Sequence, residues 1–140
     1  MKKTLVIASL LAASTGSFAL NCGNLGIKIS NTSNQECVIR NKSLFYGFLD
    51  KGVVPSSIPS GTTSDTFYML QDSVGVGIQL AYQCGDKMVK FYSYQEYCLM
   101  SAGEVGGVAD IWNDLAMNHR ETWGSFWFGT PGQITWQIHE

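Results

Sequence analysis

The sequence predicts an all-β fold, an antiparallel β-sandwich or small barrel of seven or eight short strands behind an N-terminal export leader. Three observations carry that reading. Apolar residues recur at every second position in several segments, as they do in strands with one buried face. Clusters of Gly, Asn, Ser and Pro separate those segments at roughly 8- to 12-residue intervals. The composition is lean in charge, at 14% against about 25% in ordinary globular chains, and aromatic residues make up 12%. Disorder, collagen-like repeats and coiled coils are excluded by the same composition.

Residues 1–19 read as a cleaved bacterial secretion signal. Lys2 and Lys3 form the charged region, Leu5 to Ala13 the apolar stretch, and Ser17-Phe18-Ala19 a small-x-small cleavage site. The apolar run is too short to span about 30 Å of hydrocarbon, so the mature chain is expected to have no integral membrane segment. Cys22 follows Leu20 and Asn21, which does not fit a lipidated cysteine. Residues 20–140 then form a single β-sandwich domain, exported to the periplasm or the medium.

The strands follow in order. Leu25, Ile27 and Ile29 alternate with Lys28 and Ser30 as a half-buried strand, and Asn31 to Asn34 form a turn leading to a second strand at 37–40. Leu44 to Leu49 is a nearly continuous apolar run and reads as a strand buried on both faces. Pro55 to Ser64 is a loop by composition. Residues 66–71 resume a strand, and 75–84 is the clearest of all, with Val76, Ile78, Leu80, Tyr82 and Cys84 on one face. Lys87 to Ser93 completes a hairpin across Gly85-Asp86, with Val89 and Phe91 inward. Val108, Ile111, Trp112 and Leu115 fall at helical spacing, so 108–117 is read either as one short helix or as an irregular crossover. A last pair, 123–128 and 133–139, is expected around the turn at 129–132, with Ile134, Trp136 and Ile138 inward.

Four cysteines, Cys22, Cys37, Cys84 and Cys98, all lie beyond the leader. An even count in an exported chain predicts two disulfides. A metal site is not expected, because there is no Cys-x-x-Cys and the two histidines, His119 and His139, are distant in sequence. If 32–35 is a turn, Cys37 lies opposite about Ser30, leaving Cys22 some 25 Å away along an extended strand. Pairing within neighbouring segments would need a sharp fold-back, so the bridges are expected to be non-local.

Removing the leader takes away Lys2 and Lys3 and leaves 7 basic against 11 acidic side chains, a net charge of −4. Nucleic acid is thereby an unsuitable partner, and purely electrostatic attachment to anionic lipid has no basic patch to support it. No catalytic residue is singled out. A nucleophile-histidine site needs a histidine beside a nucleophile, whereas His119 and His139 read as solvated surface residues. Gly103-x-x-Gly106-Gly107 lacks the flanking elements of a phosphate loop. The protein is expected to be non-enzymatic and to need no cofactor.

Aromatic residues carry the functional expectation. In Thr122 to Phe128 both faces are aromatic, so that Phe126 and Phe128 in the interior would leave Trp123 and Trp127 exposed. Exposed amphipathic rings suit a membrane interface, a sugar or a protein partner. Tyr92 and Tyr94, together with Tyr97, form a comparable cluster near Cys98. The alternative is a strand covered on both sides by residues 108–117.

Ile29-x-Asn31, Ile39-x-Asn41-x-x-Leu44-x-x-Gly47-Phe48, Pro59-Ser60-Gly61 and Asp72-Ser73-x-Gly75-x-Gly77-x-x-Leu80 together resemble the aegerolysin pattern over residues 25–84. That resemblance implies a small β-sandwich recognising membrane lipid, in some members with a larger pore-forming partner. Tyr82-x-Cys84 followed by Val89-x-Phe91 is similar to the opening strands of MliC-type periplasmic lysozyme inhibitors. The expected function is a secreted, non-enzymatic surface binder of lipid or glycan, with Trp123, Trp127, Tyr92 and Tyr94 as binding residues. A protein-binding inhibitor or envelope factor, and thirdly a small secreted hydrolase, are the alternatives.

Overall fold

The computed structural model describes residues 20–100 and 103–140, so the proposed signal peptide lies outside the described residues. These residues form two packed sheets built from eleven strands. The strands are β1 (Asn24–Asn31), β2 (Cys37–Tyr46), β3 (Phe48–Lys51), β4 (Ser57–Ile58), β5 (Thr62–Thr63), β6 (Phe67–Leu70), β7 (Gly75–Cys84), β8 (Lys87–Glu96), β9 (Val105–Ala109), β10 (Ala116–Thr122) and β11 (Gly132–His139). One sheet runs β10-β11-β1-β6-β3, with β5 also on β1, and the other runs β4-β2-β7-β8-β9. The architecture is an open sandwich, the first of the two forms that the alternation allows.

Pairing is antiparallel except between β1 and β11, which run parallel in register from Leu25↔Gly132 to Asn31↔Ile138. A parallel pair needs a long crossover. Here the whole intervening chain supplies it, placing the first and last strands side by side at the centre of their sheet.

The inward positions read from the sequence are the observed core. Leu25, Ile27 and Ile29 of β1, and Ile134, Trp136 and Ile138 of β11, face Ile78, Leu80 and Tyr82 of β7 and Val89 and Phe91 of β8. Each buried large side chain contributes about 1.5–3 kcal/mol relative to exposure. Polar atoms drawn inside are satisfied locally: Trp136 Nε1 donates to Ser93 Oγ at 2.8 Å, and the Tyr82 hydroxyl donates to the Pro55 carbonyl at 2.7 Å. At the β1–β2 turn the buried Asn31 amide donates to the carbonyls of Gln35 and Ile58 and accepts from Ser33.

Both disulfides are present and both are non-local, Cys22–Cys98 and Cys37–Cys84. Cys37 and Cys84 lie directly opposite each other in the β2–β7 ladder. Cys22–Cys98 joins the approach to β1 with the β8–β9 connection, across 76 residues.

Two expectations are corrected and an open one is decided. Residues 108–117 form the irregular crossover and not the helix: β9 ends at Ala109, β10 begins at Ala116, and a pinned bend lies between them. Its Asp and Asn side chains take over backbone partners that a helix would need. Asn113 Oδ1 accepts from Lys90 N, Asp114 Oδ2 from Met88 N, and Asp110 Oδ1 from Trp112 N. Residues 44–49 are not buried on both faces, since Leu44, Phe45, Tyr46, Phe48 and Leu49 are all exposed. β4 covers β2 only at Cys37 and Val38, and the chain then crosses at Gly47 into the other sheet, so no layer covers this run.

The strand preceding β11 is also misplaced by the sequence reading. β11 pairs with β10, from Ala116↔His139 to Thr122↔Gln133, whereas 123–131 is a connection. Polar on both faces, β10 is an edge strand, and periodicity is silent for such a segment. Its charges and amides suit an unpaired sheet edge.

Candidate functional site

Strand direction decides which connections meet. β1 and β11 begin at the same end as β6 and β8 finish, because Leu25 is paired with both Gly132 and Met69, and Gly75 with Glu96. The lead-in 20–23, the β2–β3 crossing at Gly47, connections 71–74 and 123–131, and the described parts of the β8–β9 connection, 97–100 and 103–104, are therefore gathered at one end of the sandwich. Cross-links hold them together. Besides Cys22–Cys98, Gln71 Oε1 accepts from Cys98 N at 2.7 Å, Asp72 Oδ2 accepts from Gly47 N at 2.9 Å, and Gly103 bridges to Gly124.

This end carries nine of the nineteen exposed large apolar side chains among the described residues. Residues 125–130 close a tight turn through reciprocal Ser125–Thr130 backbone bonds of 3.0 and 3.1 Å. At its apex stand Phe126, Trp127 and Phe128, the last two 80% and 84% exposed. Phe126 and Trp127 pack edge to face at 5.7 Å, so the rings brace one another rather than entering the core. Trp123, at 52%, adjoins them, Val74, Tyr97, Leu99 and Met100 are exposed in the neighbouring connections, and Phe48 is exposed at the start of β3. None of these connections contains a Lys or Arg, while Asp72 and Glu104 lie within them.

Trp123 and Trp127 are thus exposed, as the sequence reading expects, but Phe126 and Phe128 are exposed beside them instead of filling the interior. The reason is topological: their segment belongs to a turn outside the ladders, where no sheet face can receive them.

Tyr92 and Tyr94 occupy a different surface, the outer face of the second sheet near the same end. Their rings lie 6.0 Å apart at 23°, and Phe45 meets Tyr92 edge-on at 5.8 Å. Tyr46 joins them from β2, opposite Gly77, which is in turn opposite Tyr94. Two glycines make room for these rings. A Cβ on Gly77 would come within 2.9 Å of the Tyr46 ring, and one on Gly106 within 2.8 Å of the Tyr94 ring. Burial first, and then the neighbouring Tyr46 and Tyr94 hydroxyls, push the Tyr92 phenol above its ordinary range. Phe45 and Tyr46 escaped the sequence reading because a continuous apolar run looks the same whether covered or bare.

No family model matches the chain, and no curated protein matches it. Among solved structures it is similar to the lipid-binding protein Nakanori, with 10% identity and a TM-score of 0.63 over 84% of this chain and 71% of that one. It is also similar to IP-1A from Alcaligenes faecalis, with 18% identity and a TM-score of 0.53 over 87% and 94% of the two chains. The likeness is one of fold.

Residues considered for chemistry are dispersed. His119 Nε2 lies 3.2 Å from Glu121 Oε2, and its ring centroid is 4.7 Å from that of Trp136, at the β10 edge of the core. Among the described residues no group of three or more His, Cys, Asp or Glu is placed to hold a metal ion. No helix among them is long and apolar enough to cross a membrane.

Proposed function

We propose that the protein is an exported, non-enzymatic lipid-surface binder that seats the aromatic end of its sandwich in a membrane interface. The observation that carries this reading is the convergence of Trp123, Phe126, Trp127 and Phe128 with Leu99 and Met100 at one end, without a cation among the connections that form it. Amphipathic tryptophans sit readily at the headgroup level, and phenylalanines reach the acyl boundary. The fold shared with a lipid-binding protein supports the reading, as does the aegerolysin-like pattern of residues 25–84. Two buried disulfides support export to an oxidising compartment.

Because attraction comes from apolar area and not from charge, binding to uncharged vesicles should change less than about twofold between roughly 0.05 and 0.5 M salt. Cosedimentation with liposomes, run beside a glycan array, tests the assignment. Wild-type liposome binding that is lost in Trp123→Ala/Trp127→Ala is expected. Binding that survives the double substitution overturns the site, and capture by glycans alone overturns the lipid class.

A further inference from the structure

The groove beside the aromatic end has a chemistry of its own. It encloses about 160 Å³ and is lined by Tyr46, Tyr92 and Tyr94, by Val74, by the Gly75-Val76-backed end of β7, and by Glu96. The volume is below the 300 Å³ or so at which drug-sized pockets begin, so it has room for one small group.

Three features define that group. Side chains of β2, β7 and β8 meet across a glycine: Tyr46, Gly77 and Tyr94 share one row of the sheet, and any Cβ at Gly77 would collide with the Tyr92 hydroxyl. Three tyrosine rings thereby crowd a floor with no side chain of its own. The charge of the groove is negative, since Glu96 is exposed, forms no ion pair among the described residues, and no Lys or Arg lines the site. An anion is consequently disfavoured. Apart from Glu96, Gln95 and the phenol hydroxyls the walls are ring and aliphatic surface, so a primary ammonium, with three N–H donors to satisfy, would find few acceptors in exchange for its hydration. A cation bearing methyl groups needs no hydrogen bonds and is attracted by ring faces and a nearby carboxylate.

We propose that this groove is a binding site for a quaternary ammonium group, with Tyr46, Tyr92 and Tyr94 as its aromatic walls and Glu96 as its countercharge. The group could be presented by a choline headgroup or by free choline. The headgroup source rests on the lipid-surface reading, because Val74 in the 71–74 connection belongs both to the groove and to the aromatic end.

The test separates the two sources. Free phosphocholine and choline are titrated into the protein while the tyrosine ring resonances are followed by NMR, and vesicles of phosphatidylcholine are compared with otherwise identical vesicles of phosphatidylethanolamine. Expected are saturable, roughly millimolar perturbations of the Tyr92 and Tyr94 rings and about a tenfold preference for phosphatidylcholine. Tyr94→Leu should abolish the preference and Tyr94→Phe should retain it. Exposed Glu96→Gln, which does not touch the core, should reduce it even if Tyr94→Leu is unstable. Trp127→Ala/Phe128→Ala should lose both kinds of vesicle yet still bind free choline. Equal binding to the two vesicles with no tyrosine response overturns the groove and leaves the lipid-surface reading standing. A choline response without any vesicle binding overturns the lipid-surface reading and leaves the groove.

Discussion

The two ends of the sandwich are both built from connections between strands, yet they present different surfaces to solvent. At the aromatic end, 71–74, 97–104 and 123–131 expose Trp123, Trp127, Phe128, Leu99 and Met100 and contain no basic residue. At the other end, 32–36, 52–56, 85–86 and 110–115 are rich in Ser, Asn and Asp. Two ion pairs form there, Lys90 Nζ with Asp110 Oδ2 at 2.9 Å and Lys87 Nζ with Glu140 Oε2 at 3.3 Å. Ile111 and Trp112 are fully as exposed as Trp127, but they stand beside those charges. A bare tryptophan is therefore not enough to mark a binding surface; its neighbours decide whether the patch can be desolvated cheaply.

The largest expected effect separates the two ends directly. Trp127→Ala/Phe128→Ala removes two rings that each contribute about 2 kcal/mol when buried, so vesicle affinity should fall by about a thousandfold with the denaturation midpoint unchanged. Ile111→Ala/Trp112→Ala, at the opposite end, should leave affinity within about twofold in the same flotation assay; an equal loss there would erase the distinction between the ends.

Next in size is the disulfide that ties the aromatic end together. Cys22→Ala/Cys98→Ala should cost about 2–4 kcal/mol in urea unfolding, and hydrogen exchange should quicken around 97–104 and 20–24. Cys37→Ala/Cys84→Ala should cost a similar amount, with faster exchange in β2 and β7 instead. A smaller loss, about 1–3 kcal/mol, is expected for Trp136→Phe, which strands the buried Ser93 hydroxyl. Because the core serves both ends, vesicle affinity should not change.

The smallest effect is a dependence on pH. Asp72 accepts backbone N–H groups from Gly47 at 2.9 Å, Val74 at 2.8 Å and Gly75 at 3.1 Å. Led by the Gly47 bond, these hold its carboxyl below the ordinary range. A depressed carboxylate contributes its stability in full above the ordinary pKa of about 4 and loses it as pH falls through the lowered value. Asp110, held down chiefly by Lys90, and Glu140, chiefly by the Asn34 N–H, follow the same sign at the opposite end. Asp72→Asn should therefore flatten only part of the loss of thermal midpoint between about pH 5 and 2.5, and a wholly unchanged profile would show that the aromatic end is not held by this carboxylate.

Much of this fold is legible in the sequence because β1, β7, β8 and β11 each have one buried face. Ile27, Leu80, Phe91 and Trp136 declare their side by alternation alone. Alternation fails where a segment has two similar faces. β10 is polar on both, whereas 44–49 and 123–128 are apolar on both, so alternation shows neither which face is inward nor whether a layer covers it. The spacing of Val108, Ile111, Trp112 and Leu115 also imitated a helix, although only Leu115 among the four is buried.

By itself the sequence determined the all-β class, with a sandwich or small barrel left open, and the inward residues, the expectation of non-local bridges and the excess of aromatics, because these depend on period, count and chain reach. Where those aromatics stand was decided by tertiary structure. The parallel β1–β11 pairing sets the direction of the last strand, and β10 pairing with it turns 123–131 into a connection at the same end as Cys22 and Cys98. Residues separated by 107 positions, such as Leu25 and Gly132, become neighbours only through that long-range register, which no local pattern encodes.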